Sequence, residues 1–202
     1  MIITLSGVDG SGKTTNALFV KKKLEENKRK VVYIHMIRWT LVYRLGELIQ
    51  KFSQDEKPGK RDKFPGKKYR PLMLFVSLID VFRFYLLNFL IGIVGRYDII
   101  CDRYFYDLGV QAVYTERMGK RFELFYWRIV PKPKISMLFD LNPEKAIIRE
   151  GEHSLLYYEK KRKLYLDRCD MWGVHVIQEE SIDNVQNIII NILSAELGAR
   201  ID

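Results

Sequence analysis

The 202-residue chain predicts a three-layer α/β/α fold built on a five-stranded parallel sheet. Three observations carry that expectation. Short apolar runs at 2–5, 31–36, 97–101, 135–140 and 174–177 are separated by segments with helical spacing. Strands that alternate with helices lie side by side in parallel, with the helices covering both faces of the sheet. The first connection, Gly7-Val8-Asp9-Gly10-Ser11-Gly12-Lys13-Thr14, fits the pattern G-x-x-x-x-G-K-[ST] at every fixed position. With 48 % apolar residues, the chain is long enough for one sizeable core and too apolar to be disordered.

Each element follows from its local pattern. Ile2-Ile3-Thr4-Leu5 is a short apolar, β-rich run just ahead of the glycine motif. After the glycine motif, Ala17, Val20 and Leu24 share one helical face, while Lys21, Lys22, Lys23, Glu25 and Glu26 stay outside. A strand over 31–36 leads to a helix over 40–53. Pro71 then opens an apolar stretch that runs to Gly95, about the length of a membrane span. It contains Asp80, Arg83 and Asn88, which are costly in lipid, and it lies between two strands of one sheet. It therefore reads as a helix buried against the sheet and partly exposed to a partner subunit. A third strand at 97–101 precedes helical patterns over 105–130, and a fourth strand follows at 135–140. Pro143 suits the first turn of a helix. Residues 155–169 form a charged amphipathic helix, 174–177 a fifth strand, and Ile182, Val185, Ile189, Ile192 and Leu193 one face of a last helix. No internal repeat is visible, so 1–202 reads as one domain.

The glycine motif sits between a strand and a helix, which is the context its chemistry needs. Glycines let the backbone turn so that successive N–H groups face phosphate oxygens, and the helix N-terminus adds partial positive charge. Lys13 supplies a cation for β- and γ-phosphates, and the Thr14 hydroxyl is a Mg²⁺ ligand. This is the expectation for a phosphate-loop nucleoside triphosphate site. A second signal, Asp102-Arg103-Tyr104, directly follows the third strand, at the carboxyl-terminal sheet edge where such folds bind ligands. Asp102 there can hold a magnesium-bound water, and the planar fork of Arg103 can clamp a second phosphate. The plain alternative is an ion pair.

The net charge of +9 raises the class of nucleic-acid binders, but most basic residues fall in helical runs, at 21–23, 28–30 and 160–163, that read as solvated faces. The exception is a basic loop over 54–70, where Lys57, Lys60, Arg61, Lys63, Lys67, Lys68 and Arg70 sit among prolines and glycines. It reads as a solvated loop, with capture of an anionic substrate as the alternative. Cys101 and Cys169 form neither a disulfide framework nor a metal spacing. His35, His153 and His175 are too far apart to suggest a metal. The chain opens directly on a strand with no signal peptide, which points to the cytoplasm.

These residues resemble the thymidylate kinase family of nucleoside monophosphate kinases, over nearly the whole chain. The segment from Gly7 to Thr15 is similar to that family's phosphate loop, including Asp9, whose counterpart contacts the sugar 3′-hydroxyl of the monophosphate. Arg38 sits where the family has a substrate arginine. Leu74-Phe75 resembles the pair whose ring stacks on thymine, although Phe75 read alone is a core candidate. Asp102-Arg103-Tyr104 matches the acid-arginine-aromatic motif, and Gln111, Ala112 and Tyr114 resemble a glutamine-alanine-tyrosine segment displaced by two residues. Arg149 opens a short lid over 149–155, and Gly10 resembles the subgroup whose catalytic arginine comes from that lid. The family's base-reading arginine would fall at Ile79 or Asp80. Arg83 is two turns beyond Phe75 and leans back along the helix toward it.

The resemblance implies transfer of the ATP γ-phosphate, with Mg²⁺, to a nucleoside monophosphate, most specifically dTMP. It implies catalytic roles for Lys13, Asp102, Arg103 and Arg149, acceptor contacts from Asp9, Arg38, Phe75, Arg83, Arg103 and Gln111, a Mg²⁺ site at Thr14 and Asp102, and a homodimer. Two other classes stay open. A kinase of another nucleotide or a nucleoside is one, although a nucleoside offers no phosphate for Arg103. A non-catalytic nucleotide-binding or nucleic-acid-associated protein is the other, and it predicts polynucleotide affinity with a steep salt dependence.

Overall fold

The computed structural model describes residues 1–52, 69–150, 152–178 and 181–198. β1 (Ile2–Gly7) is buried at every position because it is the middle strand of the sheet. The order is β2-β3-β1-β4-β5, with β2 (Val31–His35), β3 (Asp98–Asp102), β4 (Ile135–Phe139) and β5 (His175–Ile177). Every pair is parallel. A strand flanked on both edges and covered on both faces has no solvent side, so its apolar run need not alternate.

Successive residues of β3 feed opposite layers. Ile99 and Cys101 enter a core with Val81, Phe84, Tyr104, Phe105 and Tyr126. Ile100 enters a second core with Ala17, Val20 and Leu24 of α1 (Lys13–Glu26) and Val185, Ile189 and Leu193 of α10 (Ile182–Leu197). The faces read from helical spacing are buried except at Ile182, which is 64 % exposed in the first turn of α10, and Ile192, which is half-buried. On the other side of α1, Lys21 and Lys22 pair with Glu25 and Glu26 at helical spacing, a solvated arrangement of small energy.

The helix expected over 40–53 is α3 (Leu41–Phe52). A short helix, α2 (Met36–Trp39), precedes it across an extended Thr40 and takes Met36 from the strand expected over 31–36. Asp80, fully buried on α4 (Arg70–Leu87), accepts hydrogen bonds from the Leu41 and Val42 amides, both at 2.9 Å. A carboxylate from a neighbouring helix thus satisfies the free donors at the start of α3. The helical patterns over 105–130 are α5 (Phe105–Tyr114) and α6 (Lys120–Ile129), joined through a left-handed Glu116.

α4 continues into a π-helical segment, Asn88–Val94. The stretch Arg70–Val94 is long and apolar enough to cross a membrane by length and composition. Its inner side, with Met73, Asp80, Val81 and Phe84, is buried in the protein. Phe75, Phe82, Leu86, Phe89 and Ile93 stand exposed on the other side. Of the 54–70 basic loop, only residues 69 and 70 fall within the described residues.

Candidate active site

The phosphate loop joins β1 to α1 and holds a shape that requires glycine. Gly10 and Gly12 have φ of 77° and 82°, which is left-handed backbone and strained for residues with a Cβ. A Cβ at Gly10 would lie 2.9 Å from Glu150 Cγ, so the missing side chain also lets the end of α7 (Pro143–Glu150) rest on the loop. Lys13, 4 % exposed, donates to the Val8 carbonyl at 2.5 Å and to Ser11 Oγ at 3.2 Å. Burial, reinforced by nearby Arg103, pushes its pKa down to about 8.

Asp102 ends β3 directly beside this loop, because register pairs it with Leu5 of β1 on one side and His35 of β2 on the other. Its Oδ2 accepts from Thr14 Oγ1 at 2.6 Å and from Tyr33 OH at 2.7 Å. Among the described residues its buried Oδ1 has no hydrogen-bond partner, an unusual state for a carboxylate oxygen. An open carboxylate oxygen next to a threonine hydroxyl is a hard-oxygen donor set of the kind a divalent cation takes.

Arg103 follows in a left-handed conformation, φ 66°. A non-glycine residue holds such backbone only where its surroundings impose it. Its guanidinium pairs with Asp9 of the phosphate loop. Burial pushes the Asp9 carboxyl upward, but Arg103, Lys161 and Lys13 outweigh it and hold Asp9 well below the ordinary carboxylate range. Beneath them Asp107 is buried and accepts four hydrogen bonds. They come from Ser6 Oγ at 2.7 Å, the Gly7 amide at 3.2 Å, the Tyr104 amide at 2.8 Å and Tyr165 OH at 2.8 Å. One carboxylate thus ties the phosphate loop to the start of α5 and to α8 (Leu155–Leu166).

A cleft of about 320 Å³ opens from Asp9. Arg38, Arg103, Gln111, Lys161 and Tyr157 are among its lining residues, and Glu150, Glu152 and His153 border it from the lid side. A smaller apolar pocket shares Leu108 and Gln111 with the cleft and is walled by Leu74, Ser77, Ala112 and Tyr126. Arg149 Nη1 donates to the Gly10 carbonyl at 3.4 Å, so the first lid residue lies over the phosphate loop.

The structure therefore brings together Gly7, Val8, Asp9, Gly10, Ser11, Gly12, Lys13, Thr14, Asp102, Arg103 and Arg149, with Arg38 and Gln111 across the cleft. Thr15, the last loop residue of the predicted set, is exposed in the first turn of α1. Two predicted acceptor residues lie elsewhere. Phe75 is 62 % exposed on the outer side of α4, and its neighbour Leu74 lines the apolar pocket instead. Arg83 pairs with Asp80 at 2.6 Å and stacks over the Trp39 ring at 4.5 Å, and it is absent from the lining of both pockets. The displacement has a local cause: Asp80 is needed at the start of α3, and Arg83, one turn on, is drawn to its charge. Sequence reasoning also missed Asp107, Tyr33 and Lys161. Only Asp107 carried a signal, an acid three residues into a helix start.

Sheet order, phosphate loop and the cleft at the carboxyl ends of the strands define the class: a phosphate-loop nucleotide-binding α/β protein. Within that class, the thymidylate kinase family model matches residues 5–187, and the chain belongs to that family. It is 26 % identical to a probable thymidylate kinase of Archaeoglobus fulgidus, over 99 % of this chain and 98 % of that one. It is 28 % identical to a probable thymidylate kinase of Methanothermobacter thermautotrophicus, over 98 % and 96 %. Its fold is similar to the crystal structure of thymidylate kinase from Ehrlichia chaffeensis, with a TM-score of 0.65, 20 % identity, and 96 % and 98 % of the two chains covered.

Proposed function

We propose that this chain transfers the γ-phosphoryl group of ATP to the phosphate of dTMP, giving dTDP. The observation that carries the reading is the continuity of the two sites. The phosphate loop opens at Asp9 onto a cleft lined by Arg38, Arg103 and Lys161, so two phosphorylated ligands meet end to end. Phosphoryl transfer needs that alignment and charge neutralisation more than it needs covalent chemistry. The loop amides and Lys13 hold the donor. Arg103 and Arg38 hold the acceptor phosphate, whose oxygen is already anionic and needs no strong base. Arg149 moves onto the transferred group as the lid over 149–155 closes. The apolar pocket beside Gln111 receives the base.

Thr14 and Asp102 hold Mg²⁺, a reading supported by the open Oδ1 oxygen and the adjoining hydroxyl. When bound, the ion neutralises charge on the donor phosphates. A coupled assay with ATP, Mg²⁺ and a panel of deoxynucleoside monophosphates and nucleosides tests the assignment. Preference for dTMP is the expected result. Turnover of a nucleoside, or no turnover at all, overturns it.

The chain works as one kinase domain in the cytoplasm, in keeping with two free cysteines. Its partners are small-molecule nucleotides, with no requirement for nucleic acid or membrane, and a second copy of itself. The stripe from Phe75 through Phe82, Leu86 and Phe89 to Ile93 supports the homodimer, because an exposed apolar surface of this extent on a chain of this size marks an interface. Sedimentation at micromolar concentration should give twice the 24.0 kDa chain mass; a monomer overturns the assignment.

A further inference from the structure

We infer that Tyr33 is a positioning residue for the divalent cation, its hydroxyl holding the Asp102 carboxylate so that one oxygen is left for the ion. The inference rests on the Mg²⁺ reading of Thr14 and Asp102 and adds a group from β2 to it. Two hydroxyls donate to the same oxygen of Asp102: Thr14 Oγ1 lies 2.6 Å and Tyr33 OH 2.7 Å from Oδ2. A carboxylate oxygen has two lone-pair sites, so this pair saturates Oδ2. Among the described residues Oδ1 has no hydrogen-bond partner. The carboxylate is thus loaded on one side, by donors from two different elements, α1 and β2.

Tyr33 reaches Asp102 through the sheet. Parallel pairing sets His35 opposite Asp102 and Tyr33 opposite Ile100. Tyr33 therefore stands two positions before the residue that pairs with Asp102, on the same side of β2 as His35. A diagonal neighbour at that separation is within reach of an aromatic side chain. The ring packs against the core that α1 and α10 share with the sheet, which fixes the path of the hydroxyl. A phenylalanine would suit both that packing and a strand. What tyrosine adds at this position is the bond to Asp102.

That bond has a use at the ion site. A carboxylate turns easily about its terminal bond, and one held by a single donor can offer either oxygen. With a second donor on Oδ2, the exchange breaks two hydrogen bonds. Thr14 then keeps its one proton on Oδ2 and has its oxygen lone pairs for the ion, while Oδ1 stays the open acceptor. Groups that orient a ligating carboxylate tune metal affinity without touching the metal. Tyr33 is not among the residues that line the cleft, so its effect travels through Asp102.

Manganese serves as a spectroscopic stand-in for magnesium. With enzyme in excess over ADP, loss of the free-ion EPR signal gives the Mn²⁺ affinity of wild type, Tyr33→Phe, Asp102→Asn and the double variant. Tyr33→Phe keeps the packed ring and should weaken Mn²⁺ binding by about tenfold, with ADP affinity in EDTA unchanged. Asp102→Asn should weaken Mn²⁺ binding at least as much. The double variant should bind Mn²⁺ no more weakly than Asp102→Asn, because Tyr33 then has nothing left to orient. Unchanged Mn²⁺ affinity in Tyr33→Phe overturns the proposal, and so does an additive loss in the double variant. Loss of ADP affinity in EDTA overturns it too, since the hydroxyl would then be structural. Should Tyr33→Phe fail to melt cooperatively, Tyr33→Met carries the same comparison. Unchanged Mn²⁺ affinity in Asp102→Asn removes the ion reading of Thr14 and Asp102 itself, and the proposal with it.

Discussion

The phosphate loop draws its binding groups from eight consecutive residues, whereas the adjoining cleft takes Asp9, Arg38, Arg103, Gln111 and Lys161 from five separate segments. At the loop, geometry is local: left-handed glycines and a helix start aim backbone donors at one place. At the cleft, geometry is tertiary. Arg103 reaches Asp9 only because β3 lies beside β1, and Lys161 lines the cleft from α8, which Tyr165 ties to Asp107. A local site is robust to changes elsewhere and intolerant of changes within. A composite site is tuned from several elements and is disturbed wherever one of them shifts.

The largest effect should come from inside the loop. Lys13→Ala removes charge that meets the growing charge on the donor phosphates, and kcat should fall by about a hundredfold to a thousandfold, roughly 3–4 kcal/mol. Single-turnover rates read this directly, and a rate near wild type would remove the phosphate-loop assignment. The contrast between the two regions should vanish at Asp107, which bridges them. Asp107→Ala strands four buried donors and should lower stability by about 3 kcal/mol or more. Denaturant titration measures the loss, and affinities for ATP and dTMP should fall together. Loss confined to one ligand would show that the two regions are independent.

A pH experiment isolates the donor side. Lys13 has a pKa lowered from 10.5 to about 8. Between these values the unfolded chain holds a proton that the folded chain lacks, so this group's contribution to stability rises with pH across the window. ATP restores the ammonium, so binding near pH 8.5 should take up a fraction of a proton. Apparent ATP affinity should fall by up to about tenfold per unit above pH 8. Calorimetry in buffers of different ionisation enthalpy measures the uptake, and zero uptake would place the Lys13 pKa outside the window. The smallest effect is expected at Arg83, whose contacts are Asp80 and Trp39. Arg83→Ala leaves the buried Asp80 only its Leu41 and Val42 amide donors and should cost about 1 to 2 kcal/mol, read by thermal melting. Its preference for dTMP over dUMP, dCMP and dGMP should match wild type, and a changed preference would return Arg83 to the acceptor site.

The same division decided what was legible in the sequence. Strand alternation, the buried faces of α1 and α10 and the whole phosphate loop follow from spacing, because periodicity and glycine conformation act over a few residues. Asp102 and Arg103 were legible as well, since the end of a parallel strand next to a phosphate loop has only one place to be. The break at Thr40 and the fate of Asp80 and Arg83 were not legible. They depend on α4 reaching the start of α3, a contact between residues almost forty positions apart. Phe75 and Lys161 were misplaced for one reason. Helical spacing says which residues share a face, and only packing against other elements decides which face turns inward. The sequence by itself thus determined the sheet and the phosphate loop, whose forces are short-ranged along the chain. The adjoining cleft was decided by tertiary structure, because its charges come together only when distant elements dock.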